Sequence, residues 1–204
     1  IQRIIVCSEK NQKIFAQIIE RAKEKFRDVT VKEQSQKQKR KDYVWDVPDI
    51  DYLNELYEEV NTKNYALDKC LLVEKRSQPE KEFELMIKES KNIDWWFKNG
   101  TSKESYFAIS YFDKDGFERA FYPDFILRKK DGSIGIFDTK SGIMADSDDT
   151  SRKSDALQKY IYNNKKLKLF GGILVPEKTG MKIFTGKKYN SDRKDKEWNV
   201  LKEI

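Results

Sequence analysis

The stretch FYPDFILRKKDGSIGIFDTKSG, residues 121–142, decides the fold of this 204-residue chain. Two runs rich in aromatic and branched residues flank Asp131-Gly132, a pair that supplies the positive φ angles of a tight turn. The pattern predicts a β-hairpin with arms at residues 121–128 and 133–140. The hairpin would contribute two neighbouring strands to a sheet.

Three charged side chains close the apolar arms of this hairpin. Side chains alternate between the faces of a strand, and cross-strand neighbours lie about 5 Å apart at Cβ. Asp124 is therefore expected nearly opposite Asp138, with Lys140 on the same face. Two carboxylates at this spacing can share a hard cation such as Mg²⁺, and the lysine can orient a water or stabilise charge on a phosphate. The alternative is an ordinary hairpin whose surface charges converge by accident.

The composition narrows the class of function. The chain has 41 Lys and Arg residues against 35 Asp and Glu residues, a net charge of +6, and 13 % aromatic residues, which suits a polyanionic partner. It has no histidine, which excludes the Ser-His-Asp triad and the histidine-metal nuclease motifs. No apolar run approaches the ~18 residues of a membrane span. We therefore expect a cytoplasmic protein with no membrane partner.

Capping and periodicity predict the elements around the hairpin. Ser77 is a good N-cap, and Pro79 and Glu80 suit a first helical turn. Pro123 requires a bulge or a sheet edge within its strand. The predicted order is a helix at 77–90, strands at 105–112, 117–128 and 133–140, a helix at 150–166, and strands at 171–176 and 181–185.

Residues 1–75 are predicted to be an accessory segment or the end of a preceding domain, and residues 76–204 the main domain. Apolar spacing predicts helices over 11–27 and 49–60, with a short strand at 28–31. The chain begins at Ile1 without Met, so we expect a piece of a longer protein.

The motif Pro123-Asp124 followed by Asp138-Thr139-Lys140, within an αβββαβ order, resembles that of the PD-(D/E)xK nucleases. The resemblance implies a restriction-endonuclease-like α+β mixed sheet and Mg²⁺-dependent hydrolysis of DNA, with Mn²⁺ able to substitute. In that family the first helix often carries a glutamate that completes the metal site. Glu80 is the first choice here and Glu84 the substitute. The backbone carbonyl of Thr139 is a further implied ligand.

The helix after the lysine strand matches the Gln-x-x-x-Tyr pattern of RecB-type nucleases. The match implies that Gln158 and Tyr162 touch DNA or the metal-bound water; the alternative is that both are merely exposed helix residues. Three basic residues are expected to bind backbone phosphates around the cleft without reading sequence: Lys129, Lys153 and Lys159.

Longer patterns look like the C-terminal part of type III restriction enzyme Res subunits and related helicase-nucleases: YVWDVP, SQPEKEF, WWFKNG and ALQKYI. The resemblance implies restriction-modification or another form of phage defence, with a methyltransferase or specificity subunit as partner. Residues 1–75 would then end a helicase-type region. The sequence contains no P-loop, so ATP would act only through a helicase elsewhere. A catalytically inactive DNA-binding or scaffolding module with the same fold stays an open alternative.

Overall fold

The structure, a computed structural model, describes residues 9–37, 57–60, 62–67, 70–73, 76–100, 106–178, 180–202 and 204. Internal contacts divide the chain into two units. One comprises Ile1–Val44 and Phe112–Glu118, and the other comprises Trp45–Tyr111 and Arg119–Ile204. Every charged residue of the hairpin lies in the second unit.

The N-terminal half departs from its sequence pattern in two places. Helix α1 spans Glu9–Lys37, which confirms the helix over 11–27 and makes the strand at 28–31 wrong. Strand β1 (Tyr57–Val60) pairs antiparallel with β2 (Cys70–Val73). The predicted helix over 49–60 is therefore wrong at its last four residues, because strand pairing overrides local periodicity; residues 49–56 lie outside the described part of the chain. Among the described residues no helix is both long and apolar enough to cross a bilayer.

The second unit is built on a six-stranded sheet with the strand order β10-β9-β8-β7-β6-β3. Only β7 and β8 run parallel; the other neighbours are antiparallel. The predicted α+β mixed sheet is thus confirmed. From residue 78 onward the elements of the chain are α2 (Gln78–Glu89), β3 (Ile93–Lys98), β4 (Ile109–Phe112), β5 (Glu118–Phe121), β6 (Phe125–Lys129), β7 (Ile134–Thr139), α3 (Gly142–Ala145), α4 (Asp148–Asn163), a 3₁₀ turn (Lys165–Leu167), β8 (Leu169–Glu177), β9 (Gly180–Phe184) and β10 (Trp198–Leu201).

The αβββαβ core is present, but its first strand is not the predicted one. The order runs α2, β3, β6, β7, α4, β8. The strand predicted at 105–112 corresponds to β4, which among the described strands pairs with β5 in a separate two-stranded sheet. The sequence pattern does not predict β3, because its register shifts between Ile93 and Trp95 and because the adjacent Trp96 and Phe97 are both fully buried. Polar–apolar alternation, the usual sign of a strand, is therefore lost there.

The two main helices cover opposite faces of the sheet. Phe83 and Ile87 of α2 pack in one cluster with Phe125 and Phe137, and Leu157 of α4 packs with the other face. Each large apolar side chain buried in this way contributes about 1.5–3 kcal/mol. Both helices therefore reach the sheet beside the charged end of the hairpin.

The hairpin turn forms as its residues predict. Gly132 has φ 82°, a conformation that glycine adopts without steric cost. Its backbone N–H donates to the carbonyl of Lys129 at 2.9 Å, and the N–H of Ser133 donates to Oδ1 of Asp131 at 2.9 Å. These local bonds fix the register of β6 on β7.

Candidate active site

Strand register sets the positions of the two aspartates. β6 and β7 pair Phe125 with Phe137, so Asp124 and Asp138 each lie one step beyond the last residue pair of this ladder. β5 ends at Phe121 and β6 begins at Phe125, so the chain leaves regular strand geometry just before this step. The break coincides with the bulge or edge that Pro123 was expected to require.

Asn99 fixes the irregular segment that carries Asp124. Its Nδ2 donates to the carbonyls of Phe107 at 2.8 Å and Pro123 at 2.9 Å, and its Oδ1 accepts from the N–H of Phe107 at 3.1 Å. Its backbone N–H donates to the carbonyl of Asp124 at 2.9 Å. Because Asn99 is buried, these bonds are shielded from water and hold the aspartate at a defined position.

The carboxylate of Asp124 is held from two neighbouring strands. Oδ2 accepts from the backbone N–H and from Oγ1 of Thr139, each at 2.7 Å, and Oδ1 accepts from Nζ of Lys98 at 3.3 Å. Burial by itself raises the pKa of Asp124, but Lys98, Lys140 and the Thr139 bonds outweigh it and leave the pKa below its ordinary value. Asp124 is therefore ionised at neutral pH.

Lys98, the last residue of β3, joins Asp124 to Glu80. Its Nζ lies 2.7 Å from Oε1 of Glu80, and the other Glu80 oxygen accepts from the N–H and Oγ of Ser77 at 2.8 and 2.6 Å. Burial lowers the pKa of Lys98, but the two carboxylates outweigh this effect and raise it. Both Glu80 oxygens are thus engaged by the chain itself.

Asp138 has the opposite environment. Its side chain is only 3 % exposed, and Oδ2 forms an ion pair with Nζ of Lys140 at 2.5 Å. Burial above all, and then the nearby charge of Asp124, raises the pKa of Asp138 to about 7, although Lys140 and Lys153 oppose the rise. Nζ of Lys140 also donates to the carbonyl of Thr139 at 3.3 Å.

The oxygen donors at this end of the hairpin suit a hard divalent cation. The carboxylates of Asp124 and Asp138 and the carbonyl of Thr139 are neighbours, and oxygen is the donor that Mg²⁺ and Mn²⁺ prefer. Within the described part of the chain no three Asp, Glu or Cys side chains converge into a ready-made metal cluster. An ion would therefore be held by the aspartate pair and the main-chain oxygen, in competition with the two lysines.

The two glutamates of α2 differ in their neighbours. Glu80 lies beside Lys98 and near enough to Asp124 for the aspartate charge to act on its pKa. Glu84, one turn later, is buried and pairs with Nε of Arg76 at 3.1 Å. Burial raises the pKa of Glu84, against the opposing charge of Arg76. Of the two, Glu80 is the one brought to the aspartates, through Lys98.

Gln158 and Tyr162 lie further along α4. Nε2 of Gln158 donates to the carbonyl of Gly171 at 3.0 Å and so ties the helix to β8. The ring of Tyr162 is 55 % exposed, with Nζ of Lys165 4.0 Å and Nζ of Lys187 5.4 Å from its centroid. The sheet contact of Gln158 and the exposure of Tyr162 give the two residues different surroundings.

The three lysines predicted to bind phosphate are widely spread. Lys153, near the start of α4, pairs with Asp149 at 2.7 Å, and its charge reaches Asp138. Lys159 is exposed on α4. Lys129 ends β6 at the turn, where its Nζ lies 5.4 Å from the ring centroid of Phe170. Only Lys153 is thus beside the aspartates.

Sequence reasoning missed Lys98 and Asn99. The available signal is a Lys-Asn pair directly after the aromatic run at residues 95–97. Their roles depend on contacts with residues 8 to 26 positions away, such as Phe107, Glu80 and Asp124.

A family model described as the YagJ family matches residues 68–185. The matched range is more than half of the chain and runs from before α2 to the end of β9. The chain belongs to the YagJ family. All residues of the site in this YagJ-family chain, from Ser77 to Lys153, lie inside the matched range. No curated protein and no solved structure matches the chain significantly.

Proposed function

We propose that the chain is a divalent-metal-dependent DNA endonuclease of the PD-(D/E)xK type, which hydrolyses phosphodiester bonds. The observation that carries the proposal is the meeting of Asp124, Asp138 and Lys140 at the end of one hairpin. The αβββαβ order around the hairpin and the basic net charge support it. The absence of histidine from the sequence leaves carboxylates and lysines as the natural catalytic groups.

The residues of the site would have separate roles in metal binding and in catalysis. Asp124, Asp138 and the Thr139 carbonyl would hold Mg²⁺ or Mn²⁺, and Glu80 would join them once Lys98 releases it. A bound divalent ion supplies stabilisation of the charge on the phosphate and leaving oxygen. Lys140, held between Asp138 and the Thr139 carbonyl, would orient the attacking water and favour its deprotonation.

The neighbouring elements would bind the substrate. Lys153 lies beside the aspartates and suits a backbone phosphate, whereas Lys159 and Lys129 would extend the contact along α4 and to the hairpin turn. Gln158 and Tyr162 remain proposed strand-positioning residues. Contacts of this kind bind the phosphate backbone without reading sequence.

Replacing Lys140 tests the proposal. Lys140→Ala is expected to retain DNA binding and to lose nicking of supercoiled plasmid in Mg²⁺ by at least about a hundredfold, since positioned acid–base groups contribute about 10²–10⁴. Lys130→Ala, an exposed lysine in the hairpin turn, is the matched control for loss of one positive charge. Undiminished nicking by Lys140→Ala would refute the assignment.

The resemblance of the sequence to type III restriction enzyme Res subunits supports a proposal for the larger protein and its biological role. The chain would be the nuclease domain of a type III restriction enzyme-like helicase-nuclease in the cytoplasm, acting in restriction-modification or another phage defence. ATP would be used by a helicase region outside this chain, and a methyltransferase-type subunit would supply specificity. Co-purification of the chain with such a methyltransferase-type subunit would support this arrangement.

The bonds that Glu80 makes favour a second function, which is DNA binding or scaffolding without cleavage. Both of its oxygens are bound by Ser77 and Lys98, and the described residues hold no ready-made cluster of three carboxylates. These features suit a nuclease-like module that binds DNA or acts as a scaffold without cleaving. Calorimetric titration with Mn²⁺ separates the two functions: DNA binding without metal binding would favour the scaffold.

A further inference from the structure

A cleft of about 690 Å³ opens at the turn end of the β6–β7 hairpin, away from the aspartate pair. Its floor is a row of paired residues: Trp95 of β3 pairs with Arg128 of β6, and Arg128 pairs with Ile134 of β7. Paired residues of neighbouring strands share one face of a sheet. Trp95 and Ile134 also pack against the core on the α4 side. The floor is therefore aromatic and apolar, with a guanidinium in its middle.

The walls of the cleft come from two separate segments. Leu167, Lys166 and Lys168 form one wall at the 3₁₀ turn after α4. Lys168 holds a left-handed conformation with φ 50°, and its carbonyl accepts from the N–H of Ile134 at 3.3 Å, which ties this wall to the floor. Tyr65 and Ala66 form another wall.

Positive charge prevails around the cleft. Arg128, Lys166 and Lys168 line it, and both lysines are exposed. The nearest acidic partner of Arg128 is Asp94, whose Oδ2 lies 3.8 Å from its Nε; the two side chains are 49 % and 51 % exposed. A pair this long and this exposed is weak, so the guanidinium can exchange it for an anion.

We propose that this cleft binds a nucleotide unit of single-stranded nucleic acid. The base would lie against Trp95 and the apolar floor, because every base has a face that stacks on aromatic rings. The phosphate would lie among Arg128, Lys166 and Lys168. The volume falls within the roughly 300–1,000 Å³ of small-ligand sites. This binding needs neither a metal ion nor the aspartates, so it goes beyond the proposed hydrolysis.

The test is the fluorescence anisotropy of a short, labelled single-stranded oligodeoxynucleotide titrated with the full chain in EDTA, where cleavage is excluded. Arg128→Gln/Lys166→Gln is expected to weaken binding at least tenfold and to lower the salt slope by about 1.4, since each single-strand phosphate contact contributes about 0.7. Lys194→Gln/Lys196→Gln removes the same charge from exposed residues that do not line the cleft and is expected to change binding less than twofold. Trp95→Leu, accepted only with its unfolding temperature unchanged, should weaken binding at least fivefold.

The outcomes separate the ligand sources and the two functions. Displacement of the oligonucleotide by a free deoxynucleoside monophosphate at comparable concentration would support the site and identify a free nucleotide as its ligand. Resistance to displacement, with loss in the cleft variants, would support a strand segment. Equal weakening in the cleft and control variants would overturn the proposal. Because the assay contains no metal, a failure of the nuclease proposal leaves its result unaffected.

Discussion

Asp124 and Asp138 lie at the same end of one hairpin, yet their surroundings are opposite. Asp124 accepts two bonds from Thr139 and one from Lys98, and its pKa is lowered. Asp138 is more deeply buried, has Lys140 as its ion-pair partner and has a pKa of about 7. One aspartate is therefore a fixed structural anion, while the other carries a charge that the fold tolerates poorly. A divalent ion would relieve the second more than the first.

Neutralising each aspartate in turn tests whether the two differ in their contribution to stability. Asp124→Asn is expected to cost about 2–3 kcal/mol of unfolding free energy, because buried hydrogen bonds to a charge are lost and Lys98 loses a partner. Asp138→Asn should cost less than about 1 kcal/mol, because removing a poorly solvated charge offsets the lost ion pair. Urea unfolding in EDTA at neutral pH measures both, and equal losses would contradict the contrast.

The pH dependence of stability sharpens the same contrast. The folded pKa of Asp138, about 7, is above its ordinary value of 3.8, so the folded state binds this proton more tightly than the unfolded chain. Its contribution to stability is therefore lost as the pH rises through that interval, by about 2–3 kcal/mol between about pH 5 and about pH 8. The metal-free protein should show this fall relative to Asp138→Asn. Parallel stability curves for the two proteins would rule out the raised pKa.

Variants of the two glutamates of α2 test which of them contributes to metal binding beside Asp124. Glu80→Gln is expected to weaken Mn²⁺ binding by about tenfold or more, at least the lower end of the effect of groups that support a metal ligand, since the variant loses a proposed ligand and Lys98 would draw closer to Asp124. Glu84→Gln, whose partner is Arg76, should leave Mn²⁺ binding unchanged. Calorimetric titration of both variants with Mn²⁺ measures these effects. A larger loss of Mn²⁺ binding in Glu84→Gln than in Glu80→Gln would assign Glu84 to the metal site.

The hairpin was predictable from sequence because its information is local. The Asp-Gly turn, the apolar arms and the two-residue period together fix the register of β6 on β7, which brings Asp124 and Asp138 to the same end of the hairpin. The capped start of α2 was also predictable, because Ser77 and Glu80 satisfy each other within one helical turn. Elements of this kind depend on neighbours in the chain.

The missed features depend on partners distant in sequence. β3 lacks alternation since Trp96 and Phe97 are buried together, and β1 was taken for a helix because only its pairing with β2 makes it a strand. No local pattern could show that Lys98 would lie between Glu80 and Asp124. Nor could a pattern show that Asp138 would be buried far more deeply than Asp124.

A plasmid cleavage assay tests the proposed nuclease activity directly. Supercoiled DNA is incubated with millimolar Mg²⁺ and either the wild-type chain or Asp138→Ala, with binding to the same DNA measured in EDTA. The proposed nuclease activity predicts nicked and linear products from the wild type, none from Asp138→Ala, and similar DNA binding by both. Equal cleavage by the two proteins, or no cleavage by the wild type in Mg²⁺ or Mn²⁺, would contradict it.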